Sequence, residues 1–250
     1  MSTNVSYEIE NNIATLTFFD PKSNSLPGST LQAMADSIRE LGNNKDVKVI
    51  ILKSQGDRAF CAGASFDELI SISNEEEGHA FFMGFAKVIN AMRTCPKFII
   101  GRVQGKAVGG GVGMASAVDF CLATKFASVK LSELAIGIGP FVVGPAVERK
   151  IGLSAMSELA INASEWRDAQ WAMGKGLYQD VYEDIDALDD AVQALANRLS
   201  TFNPEAMAKL KENFWAEFDH WDTLLPERAA ISGRLVLSDF TRNAIEKFKQ

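Results

Sequence analysis

Residues Gly105 to Gly113 carry five glycines in nine positions and run directly into Met114-Ala115-Ser116-Ala117. Glycine gives up more backbone freedom on folding than any other residue. A cluster of glycines ahead of an apolar helix therefore marks a place where another group must approach the main chain closely. Peptide N–H groups at a helix start have no intrahelical acceptor and lie at the positive end of the helix dipole, which suits a phosphate, a carboxylate or an oxyanion.

The rest of the composition narrows what that ligand can be. With 250 residues, 47% of them hydrophobic, the chain can bury a substantial core. A net charge of -7, with no basic run interleaved with aromatics, argues against nucleic acid as a partner. No stretch approaches a membrane span, and Met1 to Glu10 lacks the basic-then-apolar order of a signal peptide, so the expected location is the cytoplasm, away from a membrane. Cys61, Cys95 and Cys121 are odd in number and widely spaced; reduced, buried thiols are expected, with neither disulfides nor a metal site.

Val5 to Glu10 and Ile13 to Phe18 alternate about Asn11-Asn12 and read as a hairpin. Asp20 to Gly28 reads as a loop, and Leu31, Met34, Ile38 and Leu41 recur at helical spacing. Val47 to Leu52 and Lys97 to Val103 are continuous apolar runs of the kind buried on both faces of a sheet. Between them Phe81 to Met92 is helical, while the acidic stretch Ser71 to Gly78 is expected to be a mobile loop at a pocket wall. Strand, helix and strand in this order give an α/β fold. Beyond about Asp186 three helices are expected, Leu188 to Leu199, Glu205 to Phe218 and Ile231 to Phe248, the last more apolar than one short helix can bury alone. The division is thus residues 1–186 as core and 187–250 as a helical C-terminal segment.

Several chemistries fail on their motifs. No serine lies in G-x-S-x-G, and His79 and His220 are the only histidines, the first in the acidic stretch and the second in a helical Trp215-to-Trp221 run. Gly105-Lys106 is followed by alanine, so there is no phosphate-binding P-loop. A dinucleotide site remains open, because Gly111-Val112-Gly113 opens a helix and Glu133 follows at a distance suited to a ribose hydroxyl.

A second small-residue motif, Phe60-Cys61-Ala62-Gly63-Ala64-Ser65-Phe66-Asp67-Glu68-Leu69, follows the first apolar run. Together with Gly105 to Gly113 and Ser132-Glu133-Leu134-Ala135-Ile136-Gly137-Ile138-Gly139-Pro140, it resembles the crotonase superfamily of enoyl-CoA hydratases and isomerases. Ser238-Asp239-Phe240 is similar to the family's last helix.

That resemblance implies a spiral of repeated β-β-α turns with a helical C-terminal segment that assembles trimers or dimers of trimers. It implies an acyl-CoA thioester as substrate and no separate cofactor or metal. The N–H groups of Ala64 and Gly110 would form an oxyanion hole for the thioester carbonyl, with Gly109 beside it. Ala62, Ala64 and Phe66 would hold the adenine end of coenzyme A, and Lys22 is a candidate for its phosphates. Glu133 aligns with the glutamate that exchanges a proton with the substrate carbons. Burial by Leu134, Ile136 and Ile138 would raise its pKa towards neutrality. Phe81, Phe82, Phe85 and Phe141 would wall the acyl pocket, with ordinary core packing for at least half of them.

The chain departs from the hydratase pattern at one position. Where those enzymes carry a second glutamate, this sequence has Gly113. Isomerisation by one carboxylate therefore fits the residues at least as well as hydration, and decarboxylation of a branched, glutaconyl-type acyl-CoA is an alternative. A catalytically silent acyl-CoA binder and a nicotinamide-binding protein are the alternatives of other classes.

Overall fold

The computed structural model describes residues 4–247 and builds its frame from a six-stranded sheet. The hairpin of β1 (Val5–Glu10) and β2 (Ile13–Phe18) turns at Asn11 and Asn12, both at positive φ (52° and 65°), as a tight two-residue turn requires. Four turns of one pattern follow, each a strand of the large sheet, a short strand of a smaller sheet and a helix. The first is β2, β3 (Ser25–Leu26) and α1 (Gly28–Asn43). The second is β4 (Val49–Ser54), β5 (Ala59–Cys61), β6 (Gly63–Ala64), α2 (Phe66–Ser71) and α3 (Glu75–Thr94). The third is β7 (Phe98–Val103), β8 (Lys106–Val108) and α4 (Gly110–Ala117). The fourth is β9 (Phe120–Thr124), β10 (Val129–Lys130), a 3-10 turn (Glu133–Ile136) and α5 (Gly144–Ile161).

The large sheet runs β1-β2-β4-β7-β9 and ends on β11 (Asp180–Tyr182), parallel from β2 onward; β10-β8-β5 and β3-β6 form the small sheets. The expected spiral of β-β-α turns is what forms. Its strand order never reverses, so it has no switch point of the kind at which dinucleotides bind, and the nicotinamide reading falls with it.

The apolar runs are buried on both faces for a visible reason. Ile50, Leu52, Ile99 and Val103 face the main core with Leu31, Met34, Ile38 and Leu41 of α1. Ile13, Val49, Ile51, Ile100 and Leu122 face the other way, under Leu188, Val192 and Ala196 of α7 (Ile185–Ser200). Arg102 of β7, almost wholly buried, holds α7 through a two-pronged pair with Asp189 (2.6 and 3.0 Å).

Several expectations change. The acidic stretch is mostly helix. Asn74 Oδ1 accepts from Glu77 N (2.9 Å) while Glu77 Oε2 accepts from Ser73 N (2.8 Å), a reciprocal cap, and Glu75, Glu76 and Glu77 sit in the first turn of α3, where negative charge favours the helix dipole. His79 therefore belongs to α3, and His220 stands in the turn between α8 (Pro204–Trp215) and α9 (Trp221–Leu235). The last expected helix is two, α9 and α10 (Asp239–Lys247), because Ser238 Oγ accepts from Thr241 N (3.3 Å) and starts the chain afresh; Phe248 lies outside the described residues. α5 and α6 (Ala169–Gly174) lacked a clear periodic signal. All three cysteines are buried and free.

α9 lies along α3, where a Cβ at Gly78 would stand 2.6 Å from Gly233 O, so only paired glycines allow so close a crossing. This crossing brings the C-terminal helices over the end of the spiral that holds both glycine-containing motifs. No described helix is long and apolar enough to cross a membrane.

Candidate active site

The two small-residue loops meet. β6 pairs with β3, and the flanking amides Ala62 N and Ser65 N donate to the β3 segment (Ala62 to Ser23 O and Asn24 O, 3.2 Å each; Ser65 to Leu26 O, 2.9 Å). A Cβ built on Gly63 would lie 3.3 Å from Val108 O and 4.0 Å from Gly110 N, which puts β6 against the start of α4. Gly109 adopts φ 51°, ψ -111°, open to glycine and strained for other residues, and its carbonyl accepts from Val112 N and Gly113 N (2.9 and 3.1 Å). Gly110 therefore opens α4 with its N–H at the positive end of a wholly buried helix.

Glu133 reaches the same point from the fourth turn. β10 pairs with β8 through Lys130 and Val108, and the chain turns over Ser132 into the 3-10 turn that Glu133 begins. A Cβ at Gly109 would stand 2.7 Å from Glu133 Oε1, so the carboxyl group lies directly against the Gly109-Gly110 corner. Its Oε2 is out of contact with solvent and makes no hydrogen bond to any described residue. Desolvation pushes the Glu133 carboxyl up to about 7, against a small opposing pull from its own backbone N–H.

A pocket of about 160 Å³ opens at this corner. Ala62, Gly63, Ala64 and Phe66 line one side, Gly109 and Gly110 the base, and Phe81, Phe82, Phe85 and Phe141 the walls. Among its described lining residues Glu133 is the only ionisable side chain. Of the residues expected to bury it, Ile136 and Ile138 line the pocket, whereas Leu134 points outward and is 51% exposed. A 3-10 turn places residues three apart on one side, which separates Glu133 and Ile136 from Leu134.

Lys22 stands apart from this pocket's lining. It is ion-paired with Asp67, both side chains about two-thirds exposed (67% and 66%).

Sequence reasoning missed Val142, Val143 and Ser232, and named Leu69, Val108 and Ser132 within its motifs without giving them a role in the pocket. Val143 bears on the chemistry most: a Cβ at Gly113 would lie 2.7 Å from Val143 Cγ1, so the valine fills the space into which a side chain at 113 would grow.

The sequence profile of the Enoyl-CoA hydratase/isomerase family matches residues 8–246. The chain belongs to this family. Its curated relatives include a short-chain-enoyl-CoA hydratase of Clostridium acetobutylicum, 30% identical over 84% of this chain and 80% of that protein. A mitochondrial Delta(3,5)-Delta(2,4)-dienoyl-CoA isomerase of Homo sapiens is 25% identical over 80% of this chain and 64% of its own length. In fold, the chain superposes on the crystal structure of an enoyl-CoA hydratase from Bacillus halodurans with a TM-score of 0.88 at 21% identity, covering 98% and 99% of the two chains. Family membership makes it a crotonase-type enzyme, hydratase and isomerase both being represented among its relatives.

Proposed function

We propose that this family member isomerises the double bond of a compact enoyl-CoA thioester by a one-carboxylate proton shuttle. The observation that carries the reading is the solitary Glu133 in an apolar pocket, with Val143 occupying the space beside Gly113. The thioester oxygen would accept from Ala64 N–H and Gly110 N–H. As Glu133 removes a proton from the carbon next to the thioester or from the one beyond the double bond, negative charge grows on that oxygen, at the positive end of α4. One such donor is worth roughly 3 kcal/mol in the transition state. The protonated carboxyl then returns the proton to the other carbon, so the substrate gains and loses nothing.

A carboxyl group that titrates near 7 suits both halves of this cycle, because it is neither too weak a base to take the proton nor too weak an acid to return it. The pocket, smaller than the roughly 300 Å³ at the lower end for drug-sized ligands, favours a short or compact acyl group. The nucleotide end of coenzyme A would leave across Ala62 and Phe66 towards Lys22. Decarboxylation is the weaker alternative, since no described lining residue carries a positive charge to hold a second carboxylate out of water.

Hydration is the second reading, favoured by the name of the Clostridium acetobutylicum relative. It would require Glu133 alone to take a proton from water and deliver one to carbon. The same reading takes the protein to be a homotrimer or a dimer of trimers. Phe240 of α10, 66% exposed, and Leu134, 51% exposed, leave apolar surface beside the 3-10 turn for a second copy, and sedimentation would measure the assembly.

The test is to offer 2-enoyl, 3-enoyl and glutaconyl-type CoA thioesters and follow products by mass spectrometry. Double-bond migration without change of mass supports isomerisation; gain of water or loss of carbon dioxide as the main reaction overturns it.

A further inference from the structure

The 3-10 turn that carries Glu133 is closed by the two residues after it. Ile138 N donates to Glu133 O (3.0 Å), and Gly137 N donates to Leu134 O (3.0 Å) from a left-handed conformation, φ 82°. None of Glu133 to Ile136 is wholly buried, and glycine permits many backbone conformations, so the C-terminal end of the turn is held by what packs on Gly137. That cover comes from the first turn of α10. A Cβ at Gly137 would lie 2.5 Å from Phe240 Cδ1 and 2.9 Å from Thr241 Oγ1, so the ring and the hydroxyl rest directly on the glycine's main chain. Thr241 is wholly buried and anchored, its Oγ1 donating to Leu235 O (3.1 Å) and accepting from Ser238 Oγ (3.1 Å). Phe240 differs from it: the ring is 66% exposed and takes no part in lining the pocket, yet its edge meets Gly137.

From this contact we infer that Phe240 is a positioning residue for Glu133: its ring braces Gly137, which fixes the 3-10 turn and keeps the carboxyl group against the Gly109-Gly110 corner. This rests on Glu133 moving the proton, as proposed above. The path from ring to carboxylate is short, from Phe240 to the Gly137 main chain and from Ile138 N to the carbonyl of Glu133 itself. Because Phe240 lies outside the pocket lining, it acts on the rate of proton transfer and leaves binding of the ester alone. A misplacement of about 1 Å can cost roughly a hundredfold in rate, so a turn that is loosened and not lost should cost about tenfold.

The test measures kcat and KM for double-bond migration in a short 3-enoyl-CoA, with thermal unfolding alongside, for the wild-type protein, Phe240→Ala, Phe240→Leu and Phe240→Tyr. Phe240→Ala is expected to lower kcat about tenfold while KM stays within about twofold of wild type, the pattern of an interaction that matters only in the transition state. Its unfolding temperature should change little, because most of the ring is already in water. Phe240→Tyr, which keeps the ring, should restore the wild-type kcat, and Phe240→Leu should fall between. A wild-type kcat in Phe240→Ala, a rise in KM with kcat unchanged, or a loss that Phe240→Tyr does not restore overturns the inference while leaving the role of Glu133 standing. A wild-type protein that moves no double bond overturns both. Should Phe240→Ala fold poorly, Phe240→Leu against Phe240→Tyr decides the matter.

Discussion

Glu133 and Gly109 share one volume: the space where a Cβ of residue 109 would stand lies 2.7 Å from Glu133 Oε1. The carboxyl group is therefore held against the start of α4 by an absent side chain as much as by any contact. Gly109→Ala must both push Oε1 away and accept φ 51°. Stability is expected to fall by about 1–3 kcal/mol and kcat/KM by roughly a hundredfold or more, read by thermal unfolding and steady-state kinetics. Normal turnover in the variant would mean the corner is not where the chemistry occurs.

The same carboxyl group links activity to pH. Its folded value, pushed up to about 7 from an ordinary 4.5, means that only above about pH 7 is it mostly a base ready to take a proton. kcat/KM for double-bond migration should rise through about pH 7 with a single ionisation and level off above it.

Stability should move the opposite way. In the unfolded chain Glu133 loses its proton near 4.5, in the folded chain near 7, so between these values the folded state binds more protons and stability falls as pH rises. The loss approaches about 3 kcal/mol as an upper figure by pH 8, at about 1.4 kcal/mol for each pH unit that separates the folded and unfolded values. Glu133→Gln should remove that loss. Denaturant titrations at pH 5 and pH 8 should show the variant stabilised chiefly at the higher pH; an equal change at both would contradict the burial argument.

How a second carboxylate would fit follows from Val143. Gly113→Glu alone forces the new side chain against Val143 Cγ1, and overpacking of this kind costs about 1–3 kcal/mol. Gly113→Glu combined with Val143→Ala makes room. Hydration of crotonyl-CoA should rise only in the double variant, and a folded double variant with no gain would mean that residue 113 does not set the choice between hydration and isomerisation.

Lys22 gives a narrower test. Its pair with Asp67 is solvent-exposed and adds little to stability, so Lys22→Ala should leave unfolding almost unchanged. KM should rise several-fold for a CoA ester but not for the matching pantetheine ester, which lacks the nucleotide; equal KM changes would remove Lys22 from phosphate binding.

What the sequence could show depended on how local each signal was. The hairpin about Asn11-Asn12, the doubly buried runs and the two glycine-containing loops are set by neighbouring residues, and Ala64, Gly110 and Glu133 fell within such motifs. The charge run from Glu75 was misleading because the same acidic residues suit a helix start and a solvated loop; the Asn74 and Glu77 cap that decides between them lies within four residues and could have been read. Val143 and Ser232 could not have been found this way. Each reaches the pocket through packing of α5 or α9 against elements distant in the chain, and neither carries a motif.

The most direct test follows double-bond migration of a 3-enoyl-CoA to the conjugated 2-enoyl thioester, read by ultraviolet absorbance. The wild-type protein should move the double bond, and Glu133→Gln should slow migration by about 10²–10⁴-fold while still binding the ester. Migration at the wild-type rate in Glu133→Gln, or none in the wild type, would contradict a proton carried by Glu133.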